Sequence, residues 1–355
     1  MNLDDPIELK KVDPSGMLRL VAEMPQHIEK AIVISSSSPV GAPGAGFRQL
    51  IISGMGGSAI AGDVVRTLMD ARARIPCSVV RDYTLPLFVG PDTLVFCSSY
   101  SGNTEETLSL YEETKRRNGR VVCFGSGGEL ERCALVDGIP FLKMEEGLPP
   151  RAAIGYSLFM MLSVLQRMSI LPEETGESGE TISLLKRKLQ IYGEQTPVSH
   201  NPAKQLAHEL HDRLVVIYGS GLTSCASLRW KCQFNENGKT LAYSDVFPEL
   251  DHNEIVGWRG LRSLNTPTEI VVLRDSLEHR RVAKRIDITL ELMREDGAHT
   301  REVWSEGQSL LARIFSLIYL GDFASIYVAI LRGEDPTPVR RIEVLKKRLS
   351  EEKSV

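Results

Sequence analysis

The sequence predicts an α/β fold made of parallel sheet in two halves. Three observations carry this. Short apolar runs such as Leu50-Ile51-Ile52, Thr93–Ser98 and Arg120–Phe124 alternate with longer stretches at helical spacing, the pattern of strands joined by helical crossovers. An apolar strand leading into a glycine turn and a helix start occurs twice, at Arg48–Met69 and again from Arg213. The 355-residue length accommodates two domains, each large enough for its own core.

In chain order, residues 13–34 read as an opening amphipathic helix, and Ser35–Ala45, rich in Ser, Pro and Gly, as a loop. A buried strand at 50–52 runs into Gly54-x-Gly56-Gly57, with Ser58 as the expected N-cap of a helix carrying Ile60, Val64 and Leu68. Strands follow at 75–80 and 93–98. The helix expected over 104–117 has Asn103 as N-cap, Glu106 completing a capping box, basic residues in its last turn and Asn118-Gly119 as its stop. Strands at 120–124 and 140–143 and a helix over 152–168 complete the first half. The polar stretch 171–180 is the best linker, and the expected division is 1–155 and 156–355.

The second half opens with helices over about 180–195 and from Asn201. The strand from Arg213 enters Gly219-x-Gly221, and a helix from near Thr223 reaches Glu236 and stops at Asn237-Gly238. A strand at 269–273, a helix over 277–294, a strand near 300–304, an apolar helix over 308–331 and a C-terminal helix follow. The repeated opening reads as a duplicated unit; an α/β chain also repeats this element without duplication.

The net charge of −4 leaves no footprint for nucleic acid or a membrane surface. There is no run of 18 consecutive apolar residues, and Met1–Pro6 has no secretory pattern, so the expected location is cytoplasmic. The six cysteines form no Cys-x-x-Cys pair, and disulfides are not expected. His208 and His211 lack a third ligand, so no metal site is expected.

Two stretches carry chemistry. At 53–58, backbone N–H groups converge where a glycine turn opens a helix, which suits an anion. A dinucleotide fingerprint would need glycine where Ala59 stands, and Asp82 comes late for a ribose; a purely structural turn remains an alternative. At 98–104, Ser98, Ser99, Ser101 and Thr104 precede a helix, an arrangement that suits a phosphate monoester without a metal. A triphosphate site would carry Gly-Lys-Ser/Thr, absent from both stretches. An ordinary hydroxyl-capped turn is the alternative here.

Ser99–Thr104, following Ser53–Ser58, resembles the sugar isomerase (SIS) fold. With Pro150-Arg151-Ala152-Ala153, Asn235-Glu236-Asn237, Pro248–Glu254 and Ile342–Leu349 in the same order, nearly the whole chain resembles the bifunctional phosphoglucose/phosphomannose isomerases. The chain departs from the family at Asp251 and within Asp335–Arg341. The resemblance implies two SIS domains, each a parallel-sheet αβα sandwich with N- and C-terminal helices packed on them. It implies a homodimer without metal or cofactor that interconverts glucose or mannose 6-phosphate with fructose 6-phosphate through a cis-enediol(ate).

Residue by residue, it makes Glu236 the proton-shuttling base, and the negative end of a helix dipole favours its protonated form. Arg151 would stabilise the enediolate. His252, contributed across the dimer interface, would serve ring opening. Lys346 would be a second ring-opening or hydroxyl-binding group, chosen over Lys347 by motif alone. Gly57, Ser58, Ser99, Ser101 and Thr104 would hold the phosphate. Two other readings stay open: a non-catalytic SIS regulator that senses a phosphosugar, and a nicotinamide-dependent oxidoreductase.

Overall fold

The computed structural model describes residues 1–38, 40, 46–172, 174, 176–260, 263 and 267–351. The chain opens with three short helices, α1 (Pro6–Val12), α2 (Met17–Ala22) and α3 (Met24–Ser36), instead of the single helix expected over 13–34. The Asp13 carboxylate explains the break: it accepts from the N–H groups of Met17 and Leu18, at 2.8 and 2.9 Å, and so caps α2. Gly16 turns the chain at φ +73°, and Pro25 starts α3. Residues 39 and 41–45 of the expected loop, and 173 and 175 of the expected linker, lie outside the described residues.

The first sheet has five parallel strands, β1 (Gln49–Ser53), β2 (Cys77–Val80), β3 (Thr93–Ser98), β4 (Arg120–Gly125) and β5 (Phe141–Lys143), in the order β2-β1-β3-β4-β5. Its helices are α4 (Gly56–Arg72), α5 (Glu105–Arg116), α6 (Gly128–Val136) and α7 (Ile154–Arg167). The expected division at 155/156 falls inside α7. Then α8 (Glu177–Tyr192) and α9 (Pro202–Leu210) lead to the second sheet. That sheet holds β6 (Leu214–Ser220), β7 (Ala242–Phe247), β8 (Thr268–Arg274) and β9 (His299–Trp304), all parallel, in the order β7-β6-β8-β9. The first four strands of both sheets are therefore ordered alike, the second strand outside the first and the third and fourth on its other side.

The second half also carries α10 (Ser224–Glu236), α11 (Glu254–Gly257), α12 (Arg280–Glu295), α13 (Leu310–Leu331) and α14 (Arg340–Glu351). Helix α13 is long and apolar enough to cross a membrane, but 94% of its most apolar stretch is buried inside the protein, against α8, α9 and α10. It is the core helix of the second half. By contrast α14 buries no residue, and Ile342, Leu345 and Leu349 on its apolar face are exposed.

Strand β7, helix α6 and the one-turn helix α11 go beyond the sequence reading. Strand β7 lies at a sheet edge with half-exposed residues, so Tyr243-Ser244-Asp245 interrupts any apolar run. Helix α6 is nine residues long, too short for a clear period.

Candidate active site

In a sheet ordered 2-1-3-4-5 the chain reverses its winding direction between β1 and β3, and ligands bind beyond the carboxyl ends of those strands. The two hydroxyl- and glycine-rich turns lie there. A Cβ on Gly54 would come within 3.0 Å of the Ser98 carbonyl oxygen, so the turn after β1 lies directly against the end of β3. The hydroxyls of Ser53 and Ser98, which end these strands, are buried without a hydrogen-bond partner.

Both expected caps differ from the sequence reading. Helix α4 begins at Gly56, which adopts φ +50° and turns the chain into the helix three residues early. Ser58 is therefore buried within the first turn and is not its N-cap. Helix α5 is capped at Thr104 with no side-chain bond, because the Thr104 hydroxyl pairs with that of Ser99 at 2.8 Å. The Asn103 side chain instead accepts from the Glu129 N–H at 3.0 Å, at the start of α6. Leu130 N–H donates to the Gly102 carbonyl and Ser126 N–H to that of Tyr100. Gly102 tolerates no side chain, since a Cβ would fall 1.8 Å from the Gly127 oxygen. The 99–104 turn is thus braced from behind, with Ser101 exposed at its rim.

From the first turn the site continues to Arg151. A Cβ on Gly57 would lie 3.0 Å from the Pro150 oxygen and 3.4 Å from the Arg151 Cα, so glycine is what lets these segments meet. Arg151 sits in a 3-10 turn (Pro150–Ala152) ahead of α7 and is buried. Its Nε donates to the Asn237 side chain, and one terminal nitrogen donates to the carbonyls of Pro336 and Thr337, each at 2.7 Å. Its other terminal nitrogen stands 3.9 Å from Glu236 Oε2. Burial lowers the pKa of this guanidinium from its ordinary value, and Glu236 opposes that. A charge so placed has most of its donors fixed and one side turned to the carboxylate.

Glu236 ends α10 and is 28% exposed. It is one lining residue of a cavity of about 660 Å³ that also includes Lys239, Asp335, Arg340 and Ile342, a volume typical of small-molecule sites. Ser58, Ser99, Ser101 and Thr104 are not in that lining; they connect to Glu236 through the Gly57–Arg151 contact.

A buried network supports the pair. Arg229 and Gln233 of α10 and Asn237 at its C-cap recur every four residues on one face, toward α13. Arg229 makes a two-pronged ion pair with Asp322, at 3.0 and 2.6 Å, and donates to the Arg151 carbonyl at 2.9 Å. Gln233 donates to Asp322 at 2.9 Å, and Asn237 to Ser325 at 3.1 Å. Reading the sequence missed Arg229 and Gln233 and took Asn237 as the helix stop; polar side chains at a four-residue interval were the available signal.

His252 and Lys346 are not brought to Glu236 within the chain. His252 closes a short 3-10 turn (Glu249–His252) and is exposed. Lys346 is exposed on α14, one turn beyond the cavity-lining Ile342 and on the same face; Lys347 lies on another face and pairs with Glu351 at 3.9 Å. His208 lies in the last turn of α9 and His211 just beyond it, and no group of three or more His, Cys, Asp or Glu able to hold a metal occurs among the described residues.

Comparison with known proteins agrees with this architecture. Residues 46–129 match the SIS domain model, and 199–349 match that of the bacterial phospho-glucose isomerase C-terminal SIS domain. A glucose-6-phosphate isomerase like protein from Thermus thermophilus shares the fold with a TM-score of 0.64 at 20% identity, over 98% of this chain and 99% of that one. The bifunctional phosphoglucose/phosphomannose isomerase of Aquifex aeolicus is 36% identical over 304 residues, 85% of this chain and 91% of that protein. That of Caldicellulosiruptor bescii is 40% identical over 336 residues, 94% of this chain and 99% of that protein. With such identity sustained across almost the full length of both proteins, the chain belongs to the bifunctional phosphoglucose/phosphomannose isomerase family.

Proposed function

We propose that this isomerase interconverts glucose 6-phosphate, and mannose 6-phosphate, with fructose 6-phosphate by proton transfer between C1 and C2. The observation that carries the mechanism is the buried Arg151 guanidinium 3.9 Å from the Glu236 carboxylate, beside the Gly57 turn. Starting from the aldose, Glu236 takes the C2 proton, and the C–H electron pair forms the C1–C2 double bond while the carbonyl oxygen gains a proton. The resulting enediol(ate) loses the proton on O2, and Glu236 returns its own to C1. Arg151 offsets the negative charge on the enediolate oxygens, and its buried setting strengthens that effect.

The 54–58 and 99–104 turns hold the phosphate through Gly57, Ser58, Ser99, Ser101 and Thr104, at the switch point where two helices begin. His252 opens the sugar ring from the partner subunit of a homodimer, and Lys346 assists it; the exposure of both side chains in the single chain fits this reading. The reaction needs no metal or cofactor, and its setting is the cytoplasm. A phosphosugar-sensing regulator would have no use for the Arg151–Glu236 pair.

The test is Glu236→Gln, assayed for hydrogen exchange between C2 of each 6-phosphate and solvent. Exchange and turnover are expected to fall by at least about 10³-fold, with sugar-phosphate affinity within a few-fold of wild type. Substantial residual exchange would remove Glu236 from the base role.

A further inference from the structure

Lys239 lies just past the helix that carries Glu236. It adopts φ +50°, a left-handed conformation that side-chain-bearing residues disfavour. The other described non-glycine residues at positive φ are Asn118, Ser169 and Asp212, short polar types better suited to it. Lys239 is half-buried, and its ammonium donates to three backbone carbonyls: Glu236 at 2.6 Å, Pro336 at 3.1 Å and Pro338 at 2.5 Å. The Pro336 carbonyl is shared with Arg151, which also takes that of Thr337. Residues 336–338 are Pro-Thr-Pro, so their backbone has one N–H, which donates to the Asp335 side chain. Such a segment cannot join a sheet or helix ladder, and the two cations anchor its carbonyls.

We propose that Lys239 is a positioning residue for the proton transfer: its ammonium ties the last turn of α10 to the Pro336–Pro338 strap, fixing Glu236 relative to the opposite cavity wall and the start of α14. This rests on Glu236 being the base. The strap leads directly into Arg340 and Ile342, which line the same cavity. Lys239 therefore joins the end of α10 to the strap at one charged group, with three donors meeting three acceptors.

The arrangement has a pH signature. Charged groups facing Lys239 are Arg151 from the 3-10 turn, Glu236 from α10, and Glu334 and Asp335 from the segment after α13. Arg340 and Arg341, at the start of α14, line the same cavity. Burial lowers the Lys239 pKa from the ordinary lysine value; Arg151 acts in the same direction, and Asp335, Glu236 and Glu334 oppose. Lys239 is charged below its pKa. As pH rises through that value the ammonium becomes an amine with two N–H bonds, too few for three carbonyls, and the strap loosens. Arginine does not titrate in this range.

The experiment measures kcat and KM for fructose 6-phosphate from neutral to alkaline pH in the wild type, Lys239→Met and Lys239→Arg. Lys239→Met is expected to lower kcat roughly 10- to 100-fold at neutral pH, the scale of a small misplacement of a reacting group, with KM changed less than about 3-fold. Lys239→Arg is expected to recover most of kcat and to lack the alkaline fall expected of the wild type below the usual lysine range. Wild-type kcat in Lys239→Met, or an unmoved alkaline limb in Lys239→Arg, would overturn the proposal. If thermal melting shows that Lys239→Met does not fold, the Lys239→Arg profile decides alone. Residual turnover in Glu236→Gln overturns the base reading instead; with that variant inactive, the Lys239 outcomes bear on Lys239 only.

Discussion

Single residues in this site work through what neighbouring atoms leave free. Ser99 and Thr104 spend one hydrogen bond on each other, at 2.8 Å, and retain lone pairs and a rotatable proton for a ligand. Ser101, at the exposed rim, accepts only weakly from the Asn103 N–H at 3.3 Å. Changing Ser101 and Thr104 together to Ala should therefore raise KM for hexose 6-phosphates roughly 10- to 100-fold, the worth of one or two charge-assisted hydrogen bonds. Inhibition by sugars lacking the phosphate should not change. An unaltered KM for the phosphorylated sugars would place the phosphate elsewhere. The hydroxyl cluster was legible in the sequence because hydroxyls before a helix have a local meaning. The burial of Arg151 was not, since its partners Asn237, Pro336 and Thr337 come from segments 86 to 186 positions away. Lys239 was hidden for the same reason: its acceptors beyond Glu236 arrive from 97 and 99 residues on.

Between elements, the contact of α10 with α13 governs whether Glu236 is held in place. Arg229 and Asp322 are 1% and 0% exposed, so each charge depends on the other. Asp322→Ala would leave a guanidinium buried without its counter-charge, and unfolding stability should fall by about 3–5 kcal/mol. Replacing both, with Arg229→Met and Asp322→Leu, should cost clearly less than the single change, as read from chemical denaturation. A double variant as unstable as Asp322→Ala would show that the pair itself, and not the orphaned charge, carries the stability. The strands that the sequence disclosed most plainly were the buried ones. Strands β1, β3, β4 and β8 are buried on both faces and read as unbroken apolar runs. Edge strand β7 had no such run, and the caps at Ser58 and Asn103 were misplaced because Gly56 and Glu129 divert the chain and the side chain.

At the scale of the whole molecule, one chain does not bring together every group that the proposed mechanism uses. Arg151, Glu236 and the Gly57 turn meet within it, whereas His252 is exposed and the apolar face of α14, on which Lys346 lies, is uncovered. A second copy that brings its own His252 to this Glu236 would complete the site and, by two-fold symmetry, do so twice. Complementation tests that arrangement directly. Glu236→Gln and His252→Ala are each expected to form inactive homodimers. Unfolded together in equal amounts and refolded, half of the dimers should be mixed. In each mixed dimer one site joins the intact Glu236 of one chain to the intact His252 of the other, and its second site carries both defects. Activity should then return to about a quarter of the wild-type value per chain, with sedimentation reporting dimers throughout. If Glu236 and His252 served the same site from one chain, every site in every mixture would carry one defect. Activity would then stay at the level of the separate variants.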